Sequence, residues 1–242
     1  MLQGKVVIVT GGAKGIGRHA ARTFAQERAK VVIADVDKER LRRASGELGQ
    51  LTDILAINVD VREEDDVKKM VDEVAKRFGG IDVLINNAAI VPHFAWGIPR
   101  WPRIRDMEKE FWERVIQTNL GGTLLCTKQV LPHMEARRSG HIINLYGGGG
   151  VKPSGACAYV VTKQAIRTFT RYVAEEVRES NVCVVIFSPR VPIATEGAPE
   201  EALRRLPGPE ILGSGFLLAA ELPMDSTGQC FAYQDGKLVI EA

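Results

Sequence analysis

The sequence predicts an α/β fold: a single Rossmann-type, doubly wound parallel sheet with helices on both faces, formed as one domain over residues 1–242. Three observations carry that expectation. β-Branched runs alternate with charged stretches of helical period, a glycine cluster follows the first such run, and the apolar runs are near-continuous. Strands covered on both faces need continuous apolar sequence, whereas half-exposed strands alternate. Helices between parallel strands then imply right-handed crossovers.

"KVVIVT" (5–10) reads as a buried first strand and "IGRHAARTFAQERA" (16–29) as the helix after it. "KVVIAD" (30–35) is the second strand, before a charged helix near 37–48. "DILAINVDV" (53–61) and "IDVLINN" (81–87) are further strands, with the helix "EEDDVKKMVDEVAKRF" (63–78) between them. Three prolines and two tryptophans make residues 91–105 an irregular loop. A long helix follows over about 106–137, in which Pro132 predicts a stop or kink. "HIINLY" (141–146) is the next strand, 156–180 a helix and "VCVVIFS" (182–188) a strand. After a proline-broken segment come a short helical patch near 209–221 and a last strand, "GQCFAYQ" (228–234).

Hydrophobic residues at 45% and charged residues at 26% exclude a disordered chain. The 32 basic and 30 acidic residues are interleaved, leaving a net charge of +2 and no basic stripe for a nucleic acid. Cys126, Cys157, Cys183 and Cys230 are scattered without metal-ligand spacing, so no metal site is expected and each reads as a small core residue. The N-terminus enters a strand at once, without signal-peptide architecture, and no apolar stretch reaches the roughly 20 residues that cross a bilayer. The expectation is a cytoplasmic protein without a membrane partner.

"TGGAKGIG" (10–17) lies between the first strand and first helix, where a phosphate-binding turn belongs. Gly11, Gly15 and Gly17 let backbone approach a pyrophosphate, and the free N–H groups opening the helix add positive charge. The spacing is G-x-x-x-G-x-G rather than G-x-G-x-x-G. Asp35 closes the second strand, where a carboxylate accepts ribose hydroxyls and repels a 2′-phosphate, favouring NAD over NADP. Lys14, a cation in the glycine turn, weighs the other way.

Tyr159 and Lys163 lie one helical turn apart on one face. An ammonium beside a phenol favours phenolate, so the pair predicts a tyrosine of lowered pKa that trades protons with an alcohol or carbonyl oxygen. Together, "TGGAKGIG", "NNAA" (86–89), Asn119 in "QTNLGGT" and "YVVTK" (159–163) resemble a short-chain dehydrogenase/reductase, from residue 5 to about 195.

That resemblance implies further roles. Gly11, Gly15 and Gly17 would cradle the pyrophosphate, Lys14 and Ile16 would also touch the cofactor, Asp35 would hold the adenosine ribose, and Asp60 with Val61 the adenine. Asn86, Asn87 and Ala88 would line the cofactor's path, with Ile193 and Thr195 near the carboxamide. Tyr159 would be the general acid/base, Lys163 would bind the nicotinamide ribose, and Asn119 would hold a water in the proton relay. The long helices 106–137 and 156–180 would pair copies into a homodimer or homotetramer.

Departures from the family pattern are as informative. A serine that donates to the substrate oxygen normally stands about thirteen residues before the tyrosine, and this chain has Tyr146 there, followed by glycines 147–150. Ser154 is too near Tyr159 in the chain to replace it. Tyr146 supplies its own hydroxyl, or activity persists with one donor fewer, or the site only binds. Arg190 occupies a position where the family often has glycine, and "YQDGKLVIEA" lacks the usual double glycine. His93, Phe94, Trp96 and Trp101 sit on the loop after the fourth strand, either walling an apolar substrate pocket or pinning the loop. The leading expectation is an NAD-dependent oxidoreductase of a small secondary alcohol or ketone. The alternatives are a dinucleotide-binding sensor or assembly subunit without dehydrogenase chemistry, and a lyase or epimerase that keeps its cofactor.

Overall fold

The structure is a computed structural model describing residues 2–93, 97, 101–147 and 156–241. Eight strands form one sheet in the order β3-β2-β1-β4-β5-β6-β7-β8. The strands are β1 (Val6–Thr10), β2 (Lys30–Asp35), β3 (Ile54–Asn58), β4 (Val83–Asn86), β5 (Gly140–Leu145), β6 (Val182–Ser188), β7 (Cys230–Gln234) and β8 (Lys237–Ile240). The order turns back between β1 and β4, which opens a crevice at the carboxyl ends of those strands. Registers such as Val9↔Ile33 and Val9↔Ile85 place Thr10, Asp35 and Asn86 side by side along that edge.

The inner strands β1, β4 and β6 are buried on both faces, whereas the edge strands β3 and β8 are partly exposed. Val7, Val9, Val31, Ile33 and Val185 face a layer containing Phe24 of α1 (Gly15–Gln26), Leu41 of α2 (Lys38–Leu48) and Phe216 of α8 (Gly215–Ala219). Ile8, Val32, Leu84, Ile142 and Val184 face Met70 of α3 (Glu64–Phe78), Val130 of α5 (Gly122–Arg137) and Val173 of α6 (Cys157–Glu176). Local chemistry sets the helix ends. Asp37 caps α2 by accepting the Arg40 N–H at 3.0 Å. In α3 the acids Glu64, Asp65 and Asp66 open the helix and Lys76 and Arg77 close it, matching its dipole, before Gly79 ends it in the left-handed region.

Four features differ from the sequence expectation. The helix expected over 106–137 is α4 (Lys109–Ile116), a π-helical turn at Gln117–Gly121, then α5. Pro132 neither stops α5 nor lies in its core; it is exposed, so the carbonyl it leaves unpaired can meet water. The sheet is not wholly parallel, because β8 pairs antiparallel with β7. Asp235 and Gly236, both at positive φ, make the two-residue turn between them, and that Asp-Gly pair was the signal for the hairpin. The segment after β6 holds a further short helix, α7 (Glu200–Arg205), and the 209–221 patch divides into a 3-10 turn and α8.

Cys126, Cys183 and Cys230 are buried, but Cys157 is exposed at the start of α6, where its side chain falls outside the core-facing positions. Among the described residues no helix is long and apolar enough to cross a membrane, and no group of three or more His, Cys, Asp or Glu could hold a metal ion.

Candidate active site

Backbone packing builds the first part of the site. Gly11 has φ +62 and lies so near β4 that a Cβ would come within 2.8 Å of Asn87 Nδ2. A Cβ on Gly17 would sit 2.2 Å from the Gly11 carbonyl oxygen, so only glycine lets α1 start there. Asn87 locks the turn from the other side, its Nδ2 donating to the carbonyls of Thr10 (2.9 Å) and Gly11 (3.1 Å). The Thr10 hydroxyl accepts the N–H groups of Asn87 and Ala88. These contacts leave the helix N-terminus facing the crevice.

An anion already sits at that N-terminus. Glu196 accepts the Gly15 N–H at 2.7 Å and pairs with Arg18 at 2.6 Å. Thr195, beside it, lies where a Gly15 Cβ would approach its Cγ2 to 3.1 Å. A carboxylate satisfies both the orphan donor and the helix dipole, as a phosphate oxygen would.

A groove of about 1650 Å³ runs along the strand ends. It takes in Gly11, Lys14, Gly15, Ile16, Asp35, Asp60, Val61, Asn87 and Ala88 at one end and Tyr146, Tyr159, Lys163, Ile193 and Thr195 further along. Of the residues given a cofactor or catalytic role in the sequence, Gly17, Asn86 and Asn119 are not among its lining; Asn86 is turned into a buried chain with Thr127 and Asn144. Each oxygen of Asp35 takes one backbone N–H, from Ala13 (3.3 Å) and Asp37 (3.1 Å). Asp60 is gripped by Arg62, whose guanidinium holds its carboxyl below the ordinary range. Val61 fits against Gly122, where a Cβ would come within 2.6 Å of its Cγ2.

Tyr159 and Lys163 share one face of α6 and are both buried. The Lys163 ammonium donates to the Leu145 carbonyl at 2.7 Å and lies 5.8 Å from the centre of the Tyr159 ring. Burial lowers Lys163 to about 8. Burial also pushes the Tyr159 phenol well up, and the neighbouring Tyr146 adds to the rise. The acidified tyrosine expected from the Tyr–Lys spacing is therefore not the state of the chain on its own. Desolvation disfavours the phenolate, and one N–H of the ammonium is directed to the Leu145 carbonyl. The Tyr159 hydroxyl lies 2.6 Å from where a Gly147 Cβ would be, so the first glycine after Tyr146 makes room for the phenol.

Asn119 occupies the π-helical turn. Its Oδ1 accepts the Ile90 N–H at 2.8 Å, and its Nδ2 donates to the Ile90 carbonyl and the Thr162 hydroxyl, each at 3.1 Å. The extra residue in the turn aims this side chain at the loop after β4 and at α6 together. Asn86 joins a second buried chain, donating to Thr127 and Asn144, while Asn144 donates to Thr170.

Tyr146 lies at the end of β5, buried against Ile186 and Cys230, and its hydroxyl accepts from Gln164 Nε2 at 2.8 Å. The Arg167 guanidinium stands 5.9 Å from its ring centre. Arg190 adopts φ +62, which explains glycine as the common residue there. Its guanidinium ties down to Gln234 at 2.8 Å and Glu241 at 3.0 Å, offsetting that strain. Trp101 meets Tyr159 edge-on at 6.5 Å and Phe111 at 5.0 Å, so this ring covers the phenol as well as anchoring the loop. His93 lines the groove, whereas Phe94, Trp96, Ser154 and glycines 148–150 lie outside the described residues.

Glu196, Gln164 and Arg167 were missed in the sequence. For Arg167 a signal existed: it follows Lys163 by four, as Lys163 follows Tyr159, on one helix face.

The family model of the short chain dehydrogenases matches residues 5–202. The chain belongs to that family. A short-chain dehydrogenase of this kind is an oxidoreductase that binds a nicotinamide dinucleotide. The chain is 34% identical over 256 aligned positions to a 3-oxoacyl-[acyl-carrier-protein] reductase of Thermotoga maritima, covering 99% of each. It is 37% identical to an L-fucose dehydrogenase of Bos taurus over 77% of this chain and 65% of that one. Among solved structures, a 3-ketoacyl-(acyl-carrier-protein) reductase of Brucella melitensis complexed with NADH superposes with a TM-score of 0.80 at 28% identity, covering 98% and 99% of the two chains.

Proposed function

We propose that this dehydrogenase interconverts a secondary alcohol and a ketone with NAD(H), using Tyr159 as the general acid/base. The reading rests on one observation: a single groove joins the glycine turn and Asp35 to the Tyr159 phenol and Lys163. The residues fit a dinucleotide, since the glycine cradle is one that a Cβ at Gly11 or Gly17 would fill. The backbone opening α1 would hold its pyrophosphate and Asp35 its adenosine ribose, with Asp60 and Val61 beside the adenine and Ile193 and Thr195 toward the nicotinamide. When bound, the cofactor supplies or takes up the hydride.

The chain's own residues move the proton. In reduction, the Tyr159 phenol donates to the carbonyl oxygen as charge develops there; in oxidation it takes the hydroxyl proton. Lys163 favours the phenolate whenever it is protonated beside it, and below about pH 8 that charge is present. Asn119 holds the Ile90 loop against α6 and so positions Tyr159 through Thr162, whose hydroxyl also donates to the Tyr159 carbonyl at 2.7 Å. The nicotinamide carrier is NAD rather than NADP, because the Asp35 carboxylate, which meets only backbone N–H groups and no cation among the described residues, would repel a 2′-phosphate. Exposed Leu124 on α5, with Val161 and Tyr172 on α6, supports pairing of copies into a dimer or tetramer.

Tyr159→Phe tests the assignment. Turnover of ketones, followed by NADH absorbance, is expected to vanish while NADH fluorescence still reports binding; retained turnover removes Tyr159 from its role. A second reading, a dinucleotide-binding protein without dehydrogenase chemistry, draws on Tyr146, whose hydroxyl accepts from Gln164 where the family has a donating serine. Ketone reduction gained only by Tyr146→Ser would favour it.

A further inference from the structure

The groove does not end at the reacting phenol. Past Tyr159 it is lined by Tyr146, Gln164, Arg167, Arg190 and Glu241. Arg167 is half-buried there and forms no ion pair among the described residues. The acid at this end, Glu241, is taken: one oxygen receives Arg190 Nε at 3.0 Å and the other faces the Cys230 thiol at 3.8 Å. Gln164 brings no charge, and one of its two amide N–H groups is given to Tyr146. A guanidinium removed in part from water costs free energy unless an anion meets it, and its planar fork matches a carboxylate.

We propose that Arg167 binds a carboxylate carried by the substrate, making this protein an oxidoreductase of oxo or hydroxy acids. The inference rests on the oxidoreductase reading above and names its substrate class. Tyr159, Lys163 and Arg167 follow at i, i+4 and i+8 on one face of α6. Eight residues rise about 12 Å, and helical side chains lean toward the N-terminus, so the guanidinium reaches back toward the phenol. Tyr146 neighbours both groups, with its ring centre 5.9 Å from the Arg167 guanidinium and its phenol near enough to Tyr159 to raise it, so its ring would offer the intervening carbons an apolar surface. The substrate is therefore an acid whose carboxylate is several bonds from its carbonyl, not a 2-oxo acid.

The test compares 4-oxopentanoate, 5-oxohexanoate and 6-oxoheptanoate with their methyl esters, using NADH oxidation by the parent, Arg167→Gln and Arg167→Lys. The parent should favour the best acid over its ester by about 10–100-fold in kcat/KM, the range of one charge-assisted contact. Arg167→Gln should bring that ratio toward one, mainly through KM, and Arg167→Lys should restore part of it. A parent without acid preference, or a ratio that survives in Arg167→Gln, overturns the inference. Calorimetry of the acids and esters on the NADH-loaded protein separates the two readings. Acid binding that depends on Arg167 without any turnover supports the carboxylate subsite and counts against the oxidoreductase assignment. Ester turnover at the rate of the acid does the reverse.

Discussion

The two ends of the groove are built by different means. At the nucleotide end, β1, the glycine turn and α1 follow one another within residues 6–26, and backbone atoms in contact leave no volume for side chains. At the far end, Tyr146, Arg190 and Glu241 follow β5, β6 and β8 while Gln164 and Arg167 come from α6, and it is side chains that line the groove. The first construction tolerates almost no change and carries a function shared across a family. The second can be altered one residue at a time, and that is where this chain departs from its relatives' pattern.

The sharpest way to break this comparison is Gly17→Ala. Its Cβ would meet the Gly11 oxygen at 2.2 Å, and a forced shift of the cradle should weaken NADH binding by about a hundredfold or more. Fluorescence titration checks this, and near-parental affinity would show that the turn is not held by packing.

Lys163 lies between the two ends. Its folded-state value of about 8 is below the unfolded value near 10.4, so between those pH values the unfolded chain binds more protons and stability rises with pH. Relative to Lys163→Met, the cofactor-free parent should gain about 3 kcal/mol between pH 7 and pH 11, read from urea unfolding of both proteins. A difference that does not change with pH would mean the ammonium keeps its charge in the fold.

Asp35→Ser should shift the NADP-to-NAD preference by about 10–100-fold, since a repelling carboxylate is removed while Lys14 stays. The kcat/KM ratio for the two reduced cofactors measures it, and an unchanged ratio would assign the choice to other groups. The smallest effect is expected from Glu196→Ala. Glu196 occupies the Gly15 N–H that a pyrophosphate needs, so removing it should tighten NADH binding by roughly three- to tenfold. Weaker binding would instead make Glu196 a support of the loop.

The same contrast explains what could be read beforehand. Parallel strands, the glycine turn, Asp35 and the Tyr159–Lys163 pair are written as local periods and spacings. The Asp235–Gly236 hairpin is equally local, since an Asp-Gly pair with both residues at positive φ is enough to turn the chain. By contrast, the capture of Glu196 by Gly15 spans 181 residues, and the hold of Arg190 on Gln234 spans 44. No spacing rule reaches across such distances.

What the chain settled by itself was the order of its layers and the kind of residue at each strand end, because period and backbone conformation are properties of neighbours. The tertiary structure decided the ionisation of the Tyr159–Lys163 pair. Tyr159 is pushed up and Lys163 down by burial, and burial is set by everything that packs around them rather than by the four-residue step between them. It also decided which cations stay available: Glu241 is held by Arg190, and Arg167 forms no ion pair among the described residues.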